Sequence, residues 1–225
     1  MSVLAVGFVL FPNVTQLDLT GPLQVLHRLP GAKVDIVAKT REPVPSDCGL
    51  SLVPTATFAD CAPLDLICVP GGAGVSGAIA DAETVAFVRR QGAQARYATS
   101  VCTGAFVLGV AGLLKGRRAT THWAYTHLLP LVGATHEKAR VVRDGNVFTG
   151  GGVTAGIDFA LAVASEVAGA EAAQRIQLSI EYDPAPPFAA GNPDRAPAPV
   201  RAQLAPAYDK RVAAFRAELD AAMRA

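Results

Sequence analysis

The chain has 225 residues, of which 51% are hydrophobic and 17% are charged, and its formal net charge at pH 7 is +1. Such a chain is long enough for one domain with a large core, and its balanced charge argues against a protein that binds nucleic acid or an anionic membrane. Since no apolar stretch reaches 18 residues and the N-terminal MSVLAVGFVLFP lacks a basic region and a cleavage site, we expect a cytoplasmic protein.

The first half of the sequence predicts strands that alternate with helices. Continuous apolar runs, such as residues 3–10 and 64–69, are typical of strands buried on both faces of a parallel sheet. A helix is predicted from near Pro22, a residue suited to a first helical turn, to Leu29. Further strands are predicted at 34–38, 50–53 and 97–101, and a further helix at 81–94.

The second half continues this alternation. The apolar residues after Cys102 predict a helix that ends near Gly112. The pair Asp144-Gly145 is a strong signal for a hairpin turn, here between strands at 141–142 and 146–149. Helices are also predicted at 123–131, 153–167 and 171–182.

These elements predict an α/β fold, with a mostly parallel sheet flanked by helices on both faces. Sheets of this kind place their functional sites at the carboxyl ends of the strands. Asp18, Gly71-Gly72 and Cys102 each follow a predicted strand. We therefore expect one cleft to bring these residues together.

The C-terminal region has a different character. Six prolines between Asp183 and Pro199 are too many for a packed helix or strand. Residues 200–225 predict a helix that Pro206 interrupts. We expect one domain at 1–182, followed at 183–225 by a proline-rich arm and helix that pack on this domain or on a partner subunit.

Cys102 is the predicted nucleophile. It lies between the predicted strand Tyr97–Val101 and a helix, and such a corner holds a side chain on a strained backbone. The N–H groups at the start of that helix are expected to lower the pKa of the thiol. The alternative is a cysteine that packs as a small hydrophobic residue. Because the cysteines at 48, 61, 68 and 102 lack the spacing of a zinc site or a disulfide framework, no metal is expected.

Asp18 is predicted to lie in the loop after the first strand, where two roles are open. It is either the N-cap of the following helix or a partly desolvated carboxylate that faces the thiol. In the second case burial and the nearby sulfur raise its pKa, so that it can carry and return a proton near pH 7.

Backbone groups around Cys102 are predicted to bind the substrate. Thr103 offers a hydroxyl and an N–H group that can stabilise developing negative charge. Gly72 supplies a second N–H donor, unless Gly71-Gly72 is simply a tight turn. Three glycines at 150–152 permit close approach of a ligand, and we expect Val153 to line the cleft on a helix that responds to the charge of Cys102.

His122 is the histidine with a plausible site context. It is either a general base paired with Cys102, as in a cysteine hydrolase, or a helix cap or hydrogen-bonded core residue. The sequence does not fix the distance between the two residues, so both interpretations stay open.

Over roughly residues 3–182 the sequence resembles the ThiJ/PfpI superfamily. The resemblance rests on DLTGP at 18–22, VPGG at 69–72 and SVCTG at 100–104. It is most similar to the isocyanide-hydrating branch, through TTHWAY at 120–125 and TGGGVTAGIDFA at 149–160, and EYDPAPPF at 181–188 extends the similarity. Many other members of the superfamily carry Glu in place of Asp18.

This resemblance implies a flavodoxin-like sandwich, a homodimer and no metal or organic cofactor. It also implies that an isocyanide and water are the substrates, that Cys102 forms a covalent thioimidate and that Asp18 is the general acid and base. Two alternatives stay open, namely a cysteine hydrolase that uses His122, and a redox sensor or chaperone in which Cys102 is oxidised.

Overall fold

The computed structural model describes residues 4–224, along which strands and helices alternate. Val3, the first residue of the predicted N-terminal strand, lies outside this range. The strands are β1 Leu4–Val9, β2 Ala32–Ala38, β3 Val44–Pro45, β4 Ser51–Leu52, β5 Ala56–Thr57, β6 Leu66–Val69, β7 Tyr97–Val101, β8 Arg118–Ala119, β9 Thr135–His136, β10 Val141–Asp144 and β11 Val147–Gly150. The helices are α1 Gln16–Leu26, α2 Val75–Ala80, α3 Ala82–Gln94, α4 Gly104–Val110, the 3-10 helix η1 Trp123–Val132, α5 Ala155–Ala168, α6 Ala170–Ser179 and α7 Ala198–Ala222.

Seven strands form the central sheet, in the order β10-β11-β7-β6-β1-β2-β5. All neighbouring pairs are parallel except β10 and β11, which form the antiparallel hairpin predicted around Asp144-Gly145. The central strands β6 and β7 are buried along their whole length. Their apolar residues therefore remove both faces of the sheet from water, as a parallel sheet requires.

Helices cover the sheet in two groups. One group consists of α1, α5 and α6, in which α5 contacts both of the others. The other group consists of α2, α3 and α4, with α7 packed against α2 and α4. The predicted flavodoxin-like arrangement, a mostly parallel sheet flanked by helices with an added C-terminal helix, is confirmed.

Helix α1 begins earlier than the sequence suggested, so the prediction of a loop around Asp18 was wrong. The helix starts at Gln16 and contains Pro22, which places Asp18 in its first turn. Pro22 lacks an N–H group and leaves the carbonyl of Asp18 without its helical partner. The helix continues because it packs on α5, where a Cβ added to Gly156 would lie 3.1 Å from the ring of Pro22.

Helix α7 is continuous through Pro206, so the predicted interruption was wrong. The part of α7 around Pro206 is exposed, and water can therefore hydrate the carbonyl that the proline leaves unpaired. The C-terminal part is anchored by Phe215 and Leu219, both buried. Between residues 4 and 224 the structure contains no helix with the length and apolar character needed to cross a membrane.

Candidate active site

Cys102 has a strained backbone at the corner between β7 and α4. Its φ is +56°, a left-handed value that is unusual for a residue other than glycine. The Cys102 N–H donates to the carbonyl oxygens of Gly150 and Gly151 at 3.0 and 2.9 Å, and its carbonyl accepts from the Thr121 hydroxyl at 2.7 Å. Three hydrogen bonds thus hold the corner in this conformation.

Gly104 allows this corner to pack tightly against the end of β6. A Cβ at Gly104 would lie 2.2 Å from the carbonyl oxygen of Val69 and 2.6 Å from that of Pro70. No side chain fits at such distances from backbone atoms. The Cys-Thr-Gly sequence therefore sets the distance between the nucleophile and the loop that follows β6.

Cys102 is buried, with 5% of the residue exposed. Burial and the Asp18 carboxylate raise its pKa above the ordinary value, while the N–H groups of Thr103 and Val153, which lie against the sulfur, oppose this rise. The prediction that the helix start lowers the pKa was wrong in its net direction. The reason is that desolvation and a neighbouring negative charge outweigh the two N–H groups.

Asp18 is completely buried beside this thiol. Burial raises the pKa of Asp18 to about 7, and a hydrogen bond from Gly71 and the proximity of Cys102 limit that rise. Its Oδ2 accepts from the Gly71 N–H at 3.0 Å, whereas Oδ1 is buried without a hydrogen-bond partner. This side chain does not cap its own helix, because the N–H group that it binds belongs to the loop after β6.

Gly71 lies where three polar groups converge. A Cβ at this position would be 2.6 Å from the Thr103 nitrogen, 2.7 Å from the Thr103 hydroxyl oxygen and 2.8 Å from Asp18 Oδ2. The neighbouring Gly72 N–H donates to the Thr103 hydroxyl oxygen at 3.0 Å. The N–H groups of both glycines are therefore engaged within the protein, and substrate binding by Gly72 stays a prediction.

His122 caps helix η1. Its Nδ1 accepts from the Ala124 N–H at 3.3 Å, and its ring stacks on Tyr208 with centroids 5.5 Å apart. Burial lowers the pKa of His122 to about 4. Because Nδ1 accepts from Ala124, the neutral ring carries its proton on Nε2, and the lowered pKa makes this histidine a weak base.

Two cavities flank the corner at Cys102. Val153 lines a cleft of about 830 Å³ on the side of His122 and Arg140. Gly72 and Thr103 line a second cavity of about 240 Å³. The lining of this second cavity also includes residues of η1 and α7 that no sequence pattern pointed to, namely Tyr125, Arg211, Ala214, Phe215 and Glu218.

Comparisons with known proteins agree with this architecture. A Pseudomonas putida protein named isonitrile hydratase is 62% identical over 197 residues, which cover 88% of this chain and 86% of that protein. The crystal structure of a THiJ/PfpI family protein from Pseudomonas syringae superposes with a TM-score of 0.92 at 47% identity, covering 99% of this chain and 91% of that one. Drosophila melanogaster DJ-1beta superposes with a TM-score of 0.68 at 25% identity, covering 80% and 98%.

The family assignment rests on the core of the chain. Residues 5–166 match the DJ-1/PfpI family. This range contains the sheet, the corner at Cys102 and the buried carboxyl group of Asp18. The chain therefore belongs to the DJ-1/PfpI family.

Proposed function

We propose that this protein hydrates isocyanides, R–N≡C, to N-substituted formamides, R–NH–CHO. The observation that carries the proposal is the buried pair formed by Asp18 and Cys102. The pKa of Asp18 is raised to about 7, and Cys102 has a strained backbone. Similarity to the Pseudomonas putida protein named isonitrile hydratase supports the choice of substrate, because isonitrile is a synonym of isocyanide.

The Asp18–Cys102 pair is suited to the transfer of one proton. Both pKa values are raised, so two negative charges side by side are disfavoured in this buried site. In the active form the pair holds a single proton. As the sulfur attacks the terminal isocyanide carbon, the thiol proton passes to Asp18 and then to that carbon, giving the thioimidate R–N=CH–S–Cys102.

Water completes the reaction in the second half. The Asp18 carboxylate takes a proton from a water molecule, and the resulting hydroxide adds to the thioimidate carbon. Asp18 then gives this proton to the substrate nitrogen. The carbon–sulfur bond then breaks as the hydroxyl loses its proton to Asp18 and becomes the formyl C=O. The products are R–NH–CHO and the regenerated pair, so that one water is consumed for each isocyanide.

Nearby backbone groups have supporting roles in this mechanism. The N–H groups of Thr103 and Val153 lie against the sulfur and would stabilise its negative charge when it departs. The Thr103 hydroxyl, which accepts from the Gly72 N–H at 3.0 Å, would orient the attacking water.

The family resemblance also supports a homodimer, which light scattering coupled to size-exclusion chromatography would measure.

The decisive experiment measures formamide production from methyl isocyanide and phenyl isocyanide by chromatography. Wild type should turn over, and Cys102→Ala should lose more than ~10³-fold in kcat. Cys48→Ala is the matched control, because Cys48 is an exposed thiol. Turnover that survives in Cys102→Ala would reject the covalent mechanism.

Two rival functions predict different results. A cysteine hydrolase would cleave amides or esters and lose that activity in His122→Ala. The lowered pKa of His122 makes it a weak base, and its Nδ1 is already engaged by the Ala124 N–H, which speaks against this rival. A redox sensor would show no turnover in wild type with reduced thiols, together with selective oxidation of Cys102 by peroxide.

A further inference from the structure

The loop between β1 and α1 is bound by a segment outside the central sheet, residues 45–47. The Asn13 N–H donates to the carbonyl oxygen of Pro45 at 2.8 Å, and the Asp47 N–H donates to that of Val14 at 3.0 Å. These two backbone hydrogen bonds attach the chain just before α1 to the segment that contains Asp47.

A side-chain hydrogen bond joins the same two segments. The Thr15 hydroxyl donates to Asp47 Oδ2 at 2.5 Å. Thr15 is the N-cap residue of α1, and Asp18 lies in the first turn of that helix. Their spacing is that of a capping box, in which the Thr hydroxyl accepts from the N–H of the acidic residue and the carboxylate accepts from the Thr N–H.

The groups that would form this capping box have partners outside α1 instead. The Thr15 hydroxyl binds Asp47, and the Thr15 N–H donates to the carbonyl oxygen of Gly71 at 2.9 Å. The Asp18 carboxylate accepts from the Gly71 N–H at 3.0 Å. The capping box is therefore open, and the Asp18 carboxyl group lies beside Cys102 rather than at the end of its own helix.

Asp47 also acts on Asp18 through its charge. Burial is the main cause of the raised pKa of Asp18, and the negative charge of Asp47 adds to the rise. Two thiols, those of Cys102 and Cys68, also face the Asp18 carboxyl group. Asp47 itself is exposed, so its side chain can be changed without opening the core.

We propose that Asp47 is a positioning residue for the hydration reaction, because by binding the Thr15 hydroxyl it keeps the capping box open and the Asp18 carboxyl group beside Cys102. Without Asp47, the Thr15 hydroxyl is free to accept from the Asp18 N–H, as an N-cap residue does. The first turn of α1 then closes on Thr15, and the Asp18 carboxyl group moves away from the sulfur. This inference rests on the proposed function, because it assigns a further residue to the same reaction.

The test separates the hydrogen bond of Asp47 from its charge. Asp47→Asn keeps an oxygen that accepts from the Thr15 hydroxyl, whereas Asp47→Ala removes both the acceptor and the charge. Thr15→Val removes the hydroxyl and leaves the charge of Asp47 in place. Glu42→Ala is the matched control, because Glu42 is an exposed carboxylate near Asp47 in the sequence. For each protein kcat and KM are measured with methyl isocyanide, and melting curves verify folding.

We expect Asp47→Ala and Thr15→Val each to lose about 10–10²-fold in kcat with little change in KM, since a small misplacement of a catalytic group costs such factors. Asp47→Asn should restore most of the loss, and Glu42→Ala should keep the wild-type kcat. The double variant Thr15→Val/Asp47→Ala should lose no more than either single variant, because both changes remove the same contact.

Three results would overturn the inference. The first is a wild-type kcat in folded Asp47→Ala. The second is an equal loss in Asp47→Asn and Asp47→Ala, which would assign the effect to charge alone. The third is a double variant of Thr15 and Asp47 in which the two losses multiply, which would show that the residues act independently.

A titration of the Asp18 carboxyl group separates this inference from the proposed function. Its carboxyl carbon resonance is followed by NMR against pH in each protein and is identified by its absence from Asp18→Asn. A carboxyl group that leaves the buried position gains contact with water, so we expect the midpoint to fall by about one pH unit in both Asp47→Ala and Thr15→Val. Glu42→Ala should keep the wild-type midpoint.

The Thr15→Val titration reports position rather than charge, because Asp47 is still present in that variant. If wild type does not hydrate the isocyanide, the proposed function fails, and the titration still decides the role of Asp47. A lowered midpoint in both Thr15→Val and Asp47→Ala supports positioning. A midpoint that stays at the wild-type value in Thr15→Val rejects it.

Discussion

The carboxylate of Asp18 accepts a hydrogen bond from the N–H of Gly71 at 3.0 Å, which joins the first turn of α1 to the loop after β6. This contact crosses between neighbouring strands of the sheet, β1 and β6, at their carboxyl ends. It fixes the carboxyl group beside the Cys102 thiol while leaving Asp18 Oδ1 buried without a hydrogen-bond partner. An acid that must exchange a proton with substrate needs one such oxygen free.

The pH profile of hydration should report the Asp18–Cys102 pair. Asp18 has a pKa of about 7, so below pH 7 the pair holds two protons and lacks its base. We expect kcat/KM to rise with pH up to about 7 and to level off above it. Enzyme-free blanks at each pH correct for acid-catalysed hydrolysis of the isocyanide.

Asp18→Asn should lose about 10²–10⁴-fold in activity, because it removes the general base. The rise of kcat/KM with pH should disappear in this variant, and a retained rise would contradict this assignment.

Stability should depend on pH through the same carboxyl group, in the direction opposite to that of an ordinary ion-paired aspartate. The folded state raises the Asp18 pKa from 3.8 to about 7 and therefore binds the proton more tightly than the unfolded state. The contribution of Asp18 to the free energy of unfolding is therefore fully present below pH 4 and is lost as pH rises through about 7. The free energy of unfolding falls by about 4 kcal/mol at most over this range. Urea unfolding at pH 4.5 and 8 measures this difference.

Two variants make the stability measurement specific. Asp18→Asn should remove most of the decline, because the amide does not ionise. Glu42→Gln, at an exposed carboxylate, should leave the decline as it is in wild type. An equal decline in Asp18→Asn and wild type would show that another group causes it.

Gly71→Ala should abolish activity. The new Cβ would lie 2.6 Å from the Thr103 nitrogen, a backbone atom that cannot move without displacing the corner at Cys102. Gly77→Ala in α2 is the matched control, because no atom beyond its chain neighbours and its own helical backbone lies within 4 Å of its Cβ position. This control should keep activity and gain about 0.5–1 kcal/mol in unfolding free energy. Turnover and urea unfolding of both variants test the contrast.

His122→Asn should keep hydration activity within about tenfold, because Asn preserves a side-chain acceptor for the N–H groups of η1. Loss of the stacking contact with Tyr208 should lower thermal stability instead. Steady-state kinetics and a melting curve separate the two effects. A loss of about 10³-fold in kcat with a normal fold would restore His122 as a catalytic base.

Exposure predicts the order in which the thiols react. Cys48 is exposed, whereas burial and the Asp18 carboxylate raise the pKa of Cys102. Iodoacetamide at pH 7 should therefore alkylate Cys48 before Cys102 and leave the buried Cys68 unmodified. Peptide mass spectrometry over a time course measures this order. Alkylation of Cys102 first would indicate an activated thiolate, as the rival redox-sensor function requires.

The sequence predicted those features that depend on residues adjacent to one another along the chain. The corner at Cys102 was visible because a buried strand, a Cys-Thr-Gly turn and an apolar helix follow one another directly. The hairpin at Asp144-Gly145 was visible for the same reason. Both are properties of a few consecutive residues.

Features that depend on packing were missed or mispredicted. Pro22 and Pro206 lie inside helices, since contacts with α5 and exposure to water, respectively, compensate for the missing N–H groups. The raised pKa of the Cys102 thiol follows from its burial and from Asp18, a residue far away in the chain. The place of Phe215 in the cavity beside Thr103 depends on how α7 packs against η1 and α4, which no local pattern encodes.

The attachment of α7 has a consequence for how this protein can diverge. Residues 183–197, which contain no helix or strand, connect α7 to the core that holds Cys102 and Asp18. Substitutions on the inner face of α7 can therefore accumulate without altering the bond-making residues. Related chains can therefore keep the residues of the Cys102–Asp18 site while their C-terminal regions diverge.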